Sequence, residues 1–298
     1  MINQQLTSGI ALWKWRNSAI TTALVKGISP REVDWLLQEL AGMDKLTLRL
    51  ESFKDYQEMT MVLSLAELDS LWQKRLQQRV PIQYLAGRTP WRNFTLAVSD
   101  AVLIPRPETE ILIDLVIESA NQDLQSGIWV DLGTGSGAIA LGLAEVLTNA
   151  KIYGTDISEQ ALAVARTNAR NLGFTQRVEF HQGCWWEPLN HLKGKISGMV
   201  SNPPYIPSDL IGTLEPEVVK HEPHLALDGG VDGLEAIRYL VEVSPHYLLP
   251  GGVWLIEMMA GQDEMVREML INNGNYSHIS IHTDLAGINR FALAYVSR

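Results

Sequence analysis

The sequence is short of cysteine, of charge and of long apolar runs, and each shortage excludes a class of function. Its 298 residues contain one cysteine, Cys184. No intrachain disulfide and no multi-cysteine zinc site can form, which suits a reducing compartment. No run of about 18 uncharged apolar residues occurs, so no transmembrane helix is expected. The opening MINQQLTSGIALWKWRNS lacks the basic region, clean apolar stretch and small-residue cleavage site of a leader. A cytoplasmic protein without a membrane partner is the expectation. Charged residues make up 19%, and the positive ones are scarcer: 24 Lys and Arg against 34 Asp and Glu, a net −10. The deficit is uneven. Residues 1–87 hold 10 basic and 9 acidic side chains; residues 88–298 hold the other 14 and 25, a net −11. A protein that grips a phosphate backbone usually shows a basic face, so direct nucleic-acid binding is not expected. Apolar residues, at 46%, are numerous enough for a buried core. The length suits about two domains, at roughly 100–200 residues each.

Residues 1–87 carry helical patterns. Apolar positions recur through Ile10, Leu12, Trp13 and Ile20. Ser29-Pro30-Arg31-Glu32 has the form of a helix start, with Val33, Leu36, Leu37 and Leu40 as the buried face and Gly42 as the stop. Ser64 and Glu67 form a second such start, ahead of Leu68, Leu71, Trp72 and Leu76. Lys74, Arg75 and Arg79 read as a solvated helix face. Residues 88–106 mix β-branched and aromatic residues and predict a linking hairpin turning at Ser99-Asp100. From 107 to 298 the pattern alternates: helix 107–122, strand 127–132, helix 136–148, strand 151–156, helix 158–172, strand 177–182. Strand 196–201, helix 232–248, strand 252–258, helix 261–273 and strands 276–283 and 289–296 follow. Such alternation predicts a doubly wound α/β sheet, with one of the last two strands antiparallel.

Two motifs carry chemistry. In GIWVDLGTGSGAI a strand ends at Asp131, Gly133, Gly135 and Gly137 alternate with Thr134 and Ser136, and a helix begins. Glycine lets the backbone turn and lets a ligand approach closely. The next strand ends at Asp156, placed to accept the hydroxyls of a ribose. Gly133, Gly135 and Ala138 also satisfy the relaxed dinucleotide pattern, so a nicotinamide cofactor stays open. Asp131 and Gly137 favour S-adenosylmethionine, which brings positive charge and no phosphate. The second motif, Asn202-Pro203-Pro204-Tyr205, leaves the fourth strand of the unit, beside the first in a doubly wound sheet. Two prolines make a rigid exit. The Asn202 side-chain oxygen and the Pro203 carbonyl could accept both N–H groups of a planar nitrogen and aim it at a methyl group. Tyr205 offers a flat face. Orientation and electrostatics would supply most of the rate.

Taken with Pro81-Ile82-Gln83-Tyr84-Leu85-Ala86-Gly87, Leu103-Ile104-Pro105-Arg106-Pro107-Glu108-Thr109-Glu110, Glu222-Pro223, Asp232-Gly233-Leu234, Leu249-Pro250-Gly251-Gly252 and Gln262, these motifs resemble the release factor glutamine methyltransferases over nearly the whole chain. The resemblance implies a Rossmann-like class I methyltransferase sheet behind a small all-helical substrate-recognition domain. It implies methyl transfer from S-adenosylmethionine to the glutamine amide of the Gly-Gly-Gln motif in class 1 peptide chain release factors. By the same resemblance Gly133 to Gly137, Asp156 and Asn202 hold the cofactor, Trp185 packs near the adenine, and Asn202, Pro203, Pro204 and Tyr205 hold the glutamine. Two residues depart from the pattern: Cys184 stands where an acid commonly precedes the tryptophan, and Met258-Met259-Ala260 follows Glu257 where a glycine is usual. His221 and His224 straddle a proline without a second ligand cluster, so no metal site is expected. Cys184 has no paired histidine and reads as pocket lining. Three other functions remain: an adenine amino-group methyltransferase of DNA or RNA, an S-adenosylmethionine-binding module without chemistry, and a nicotinamide dehydrogenase.

Overall fold

The structure, a computed structural model, describes residues 5–297. It has two compact units, one formed by residues up to Gly87 together with Pro216–His221, the other by the remainder.

The first unit is built on helices α1 (Gly9–Val25), α2 (Arg31–Ala41), α3 (Lys45–Leu50), α4 (Leu65–Gln78) and α5 (Ile82–Ala86). Ser64 and Glu67 form a reciprocal capping box at α4, and Gly42 ends α2 in the left-handed conformation. Ser29 does not cap α2: Pro30 takes the cap position and makes no side-chain bond there. Leu12, Leu36, Leu37, Phe53 and Trp72 are buried in one core. Strands β1 (Gln5–Thr7) and β2 (Met59–Met61) add an antiparallel ribbon. Three residues are too few for a strand period to register in sequence. The expected solvated face holds at Lys74, which is exposed, and needs correction at Arg75 and Arg79. Arg75 is only 5% exposed and lies 2.6 Å from Glu32 and 2.6 Å from Glu217, which also pairs with Arg79. Glu217 is remote in sequence, so local charge pattern could not reveal it.

The second unit opens with hairpin strands β3 (Arg88–Trp91) and β4 (Phe94–Ala97). Its turn is Arg92-Asn93, not Ser99-Asp100. Arg92 adopts φ 49°, its N–H donates to Glu110 at 2.8 Å, and its guanidinium reaches Asp114. These acids lie some 20 residues on, beyond the reach of a local turn signal. The expected helix 107–122 is interrupted: α6 (Ile111–Ser119) ends before Asn121, which caps the short α7 (Gln122–Gln125). Then come β5 (Ile128–Leu132), α8 (Ala138–Val146), β6 (Lys151–Asp156), α9 (Glu159–Asn171), β7 (Val178–Gln182) and β8 (Ile196–Ser201). After Pro216–His221 (α10) follow α11 (Glu235–Val243), β9 (Leu248–Glu257), α12 (Asp263–Asn273), β10 (Tyr276–Thr283) and β11 (Asn289–Val296). The expected helix 232–248 is shorter because Pro245 cannot continue it.

Seven strands form one sheet in the order β10-β11-β9-β8-β5-β6-β7. Strands β5 to β9 pair in parallel and β11 runs antiparallel between β9 and β10. One apolar core, with Leu112, Ile113, Leu141 and Trp129, packs on one face. A second, with Ile237, Leu240, Val266 and Leu270, packs on the other. Strand β5 has β6 on one side and β8 on the other. The order therefore reverses at β5, and the loops after β5 and β8 meet there. No helix among the described residues is long and apolar enough to cross a membrane.

Candidate active site

Strand β5 delivers Asp131 to the base of the glycine loop. Its carboxyl is fully buried; Oδ2 accepts from the Thr134 hydroxyl at 2.6 Å and from the Ala140 N–H at 3.0 Å. Oδ1 has no partner among the described residues. Burial pushes this carboxyl up to about 7, against the pull of those two donors. The loop is latched to β6: the N–H groups of Gly133 and Thr134 both donate to the Thr155 carbonyl at 2.9 Å. Gly135, at φ 53°, donates its N–H to Asp156 Oδ2 at 2.8 Å. A Cβ on Gly135 would meet nothing within 4 Å, so its face is open. Asp156 Oδ1 accepts from the Ser158 N–H at 2.9 Å. Burial raises the Asp156 pKa while these N–H groups oppose the rise. Each of its oxygens keeps acceptor capacity for a ligand.

A cavity of about 590 Å³ runs along these loops. Of the residues named from sequence, it brings together Gly133, Gly135, Asp156, Trp185, Asn202 and Pro204. Thr134, Ser136, Gly137, Pro203 and Tyr205 do not line it. Thr134 and Ser136 are buried behind the loop, where Thr134 supports Asp131 and the Ser136 carbonyl accepts from Asn168. Gly137 caps α8 at φ 84°. Trp185, at φ 49°, has its carbonyl held by the Thr155 hydroxyl. Cys184 also lines the cavity; burial pushes its thiol up, which disfavours the nucleophilic thiolate. Its N–H donates to Glu187 at 3.2 Å.

The lining includes five carboxylates, Asp100, Asp156, Glu187, Asp228 and Glu235, and no Lys, Arg or His. A pyrophosphate would be repelled here, whereas a nucleoside that carries positive charge is matched. Asp131, with its unpartnered Oδ1, is buried behind the glycine loop and does not itself line the cavity. Among the described residues, no three His, Cys, Asp or Glu side chains cluster to hold a metal ion.

The turn after β8 is fixed from behind. Ser201 donates its hydroxyl to the Leu132 carbonyl at 2.6 Å, joining β8 to β5. Asn202 Nδ2 donates to Thr109 Oγ1 at 3.1 Å. Thr109 in turn donates to Glu257 Oε2 at 2.6 Å, and Tyr205 donates its hydroxyl to Glu257 Oε1 at 3.1 Å. Gln262 Nε2 donates to the Tyr205 carbonyl at 3.0 Å and to the Gly233 carbonyl at 3.2 Å. Only glycine fits at 233, since a Cβ would come 2.3 Å from the Tyr205 carbonyl oxygen. The unusual segment after Glu257 is accommodated: Met258 is buried in the core, and the Met259 N–H donates to Gln262 Oε1 at 2.9 Å. Thr109 and Glu257 were not among the sequence-derived site residues. Their one signal was position, in the segment before α6 and at a strand's carboxyl end.

Residues 126–214 match a family model described as a methyltransferase domain. A release factor glutamine methyltransferase from Synechocystis sp. is 49% identical over 296 residues, covering 98% of this chain and 99% of its own. A protein of the same name from Thermosynechococcus vestitus is 44% identical over 96% of this chain and 99% of its own. Among solved structures, the catalytic domain of hMettl16 in complex with the MAT2A 3′UTR hairpin 6 aligns with a TM-score of 0.53 at 13% identity. That alignment covers 78% of this chain and 81% of the other, and bears on the fold alone. A methyltransferase fold, a cavity at its switch point and relatives matched from end to end place this chain in the release factor glutamine methyltransferase family, as an enzyme.

Proposed function

We propose that the protein transfers a methyl group from S-adenosylmethionine to the side-chain amide nitrogen of the glutamine in the Gly-Gly-Gln motif of class 1 release factors. One observation carries this reading. Asn202 lines the cavity with Nδ2 committed to Thr109, so that Oδ1 is left without a partner among the described residues. A free acceptor at that point suits the N–H of a planar nitrogen.

The cofactor supplies a methyl group bound to cationic sulfur. The residues present suit it: Asp156 accepts from ribose hydroxyls, the Asp131 carboxyl behind the loop favours a positively charged ligand, and Gly133 and Gly135 permit close approach. Trp185 offers its ring beside the adenine. Thr134, Ser136 and Gly137 hold the loop's shape. Asn202 Oδ1 and the Pro203 carbonyl accept the two N–H groups of the target amide, which localises electron density on nitrogen and aims it. Pro204 and Tyr205 wall the planar group. No strong base is needed beforehand, because the nitrogen proton becomes acidic only as the methyl arrives. Catalysis rests on orientation and preorganised acceptors.

The first unit is the proposed dock for the folded release factor. It leaves apolar side chains in solvent, Val25 at 80% exposure among them, with Leu24, Leu46 and Leu50. A release factor substrate puts the enzyme in the cytoplasm. The acidic lining and the net −11 of residues 88–298 disfavour the nucleic-acid reading, since phosphates would be repelled.

The test is single-turnover transfer to a Gly-Gly-Gln peptide, both substrates saturating, with circular dichroism to confirm folding. Asn202→Ala is expected to lose roughly 10²–10³-fold, the scale for one preorganised polar contact. A folded variant with the wild-type rate would refute the role of the turn.

A further inference from the structure

The two atoms at the end of an asparagine amide differ in chemistry, and only their partners decide which points where. In this protein that decision is made at a distance. Glu257 is 2% exposed at the end of β9. A hydroxyl donates to each of its oxygens, Thr109 to Oε2 at 2.6 Å and Tyr205 to Oε1 at 3.1 Å. That is the arrangement an ionised, acceptor-only carboxylate demands. A threonine hydroxyl has one proton. Once Thr109 gives it to Glu257, Oγ1 has only lone pairs left for its other neighbour. The neighbour is Asn202, at 3.1 Å, which must then turn its Nδ2 to Thr109 and its Oδ1 away.

We propose that Glu257, acting through Thr109, is the positioning residue that sets the polarity of the catalytic amide. It makes Asn202 present an oxygen and not an NH₂ group to the target nitrogen. This rests on the reading that Asn202 accepts from the target amide. The chain runs in one direction, from Asn202 N–H to the Thr109 oxygen and from Thr109 O–H to the Glu257 carboxylate. Without the carboxylate, the Thr109 hydroxyl is free to donate to Asn202 Oδ1. The amide would then rotate by a half turn and aim its NH₂ group at the substrate N–H that its oxygen should accept. Such a site no longer suits glutamine and suits a carboxylate in its place. A rigid polar network commits to one such state because each unpaired buried group costs free energy.

Glu257→Met removes the acceptor and keeps the volume close. The change leaves the Thr109 and Tyr205 hydroxyls without that acceptor, at a cost of about 1–3 kcal/mol for each that stays unpaired. A purely structural role predicts that cost in stability and no change in the choice between glutamine and glutamate by the folded variant, whereas the polarity role predicts a change in that choice. Thr109→Val removes the relaying hydroxyl, and Thr109→Ser retains it. Four measurements apply to each variant: circular dichroism, calorimetric affinity for S-adenosylmethionine, single-turnover transfer to a Gly-Gly-Gln peptide, and competitive binding of Gly-Gly-Gln against Gly-Gly-Glu peptides. Glu257→Met is expected to fold, to bind the cofactor within about 3-fold of wild type, and to lose roughly 10- to 100-fold in transfer. Its preference for the glutamine peptide is expected to fall by about 10-fold, the scale of one net hydrogen bond. Thr109→Val should show a similar transfer loss and Thr109→Ser should stay within about 3-fold of wild type. Wild-type transfer by Glu257→Met or Thr109→Val, with Asn202→Ala inactive, would overturn the relay and leave the proposed function standing. Thr109→Ser failing as badly as Thr109→Val would also overturn it. Wild-type transfer by Asn202→Ala would instead remove the reading on which the relay rests. Should Glu257→Met not fold, the Thr109 pair decides.

Discussion

The two units bury charge in opposite ways. In the first, the buried charges are cations that carry their partners with them. Arg16, 8% exposed, lies 2.6 Å from Asp34 and 2.9 Å from Glu51, and Arg75 sits between Glu32 and Glu217. In the second, the two most deeply buried carboxyls, Asp131 and Glu257, have no ion pair among the described residues, and burial raises the pKa of both. Glu222 and Asp284, slightly less buried, do have arginines, Arg106 and Arg290, at 2.6 Å. A paired buried charge fixes one packing arrangement. An unpaired one at a cavity is held ready for a ligand or for a hydrogen-bond direction. Under the proposed function the first unit's buried charges are architectural, whereas Asp131 and Glu257, behind the loops of the second unit's cavity, serve the chemistry.

Breaking the architectural kind should cost stability and little chemistry. Arg75→Met strands Glu32 and leaves Glu217 to Arg79 alone, and both acids are partly exposed, so no more than the lower end of the usual cost applies, about 3 kcal/mol. That is roughly a 150-fold change in the folding equilibrium. Urea unfolding should show it, while transfer to a short peptide by the folded fraction stays near wild type.

Breaking the chemical kind should do the reverse. Asp156→Ala removes the acceptor proposed for the ribose hydroxyls. Charge-assisted bonds of this type are worth about 1.5–3 kcal/mol, so affinity for S-adenosylmethionine should fall about 10- to 150-fold in calorimetry. Unchanged affinity would take Asp156 out of the site.

Asp131 sharpens the contrast through pH. Its folded-state pKa, about 7, lies above the unfolded value near 3.8. Between those limits the folded protein holds a proton that the unfolded chain has released. This group's contribution therefore falls as pH rises from about 4 to about 7, by at most about 1.4 kcal/mol per unit, and is constant above that. Asp131→Asn should flatten this part of the stability profile. A cationic ligand would favour the ionised form, so binding near pH 6 should release a proton, seen as a dependence of the calorimetric heat on buffer ionisation.

The smallest expected effect concerns the first unit's surface. Val25→Glu with Leu50→Glu should raise KM for whole release factor by about 3- to 10-fold, the scale of losing a contact in an interface. KM for the short peptide should not change. Equal changes on both substrates would remove the docking role.

What could be read from the sequence was whatever is local along it. The glycine loop, Asp156 and the Asn-Pro-Pro-Tyr turn each occupy a few consecutive residues at a strand's carboxyl end, and the alternation of strands and helices placed them on one sheet edge. Local pattern is silent where distant residues decide. The hairpin turns at Arg92-Asn93 because Glu110 and Asp114 bind Arg92. Arg75 is buried because Glu217, 142 positions away, meets it. The bond from Thr109 to Glu257 spans 148 positions and gives no periodic or motif signal. The ribbon of Gln5–Thr7 and Met59–Met61 is too short to have one.

The central claim is that a cavity rimmed by carboxylates delivers a methyl group to a protein amide. Incubating the enzyme with S-adenosylmethionine carrying a labelled methyl group and purified class 1 release factor, then locating the label by mass spectrometry, tests it most directly. The expected result is one methyl on the side-chain nitrogen of the Gly-Gly-Gln glutamine. Label absent from that glutamine, with adenine amino groups of added DNA or RNA labelled instead, would contradict the account.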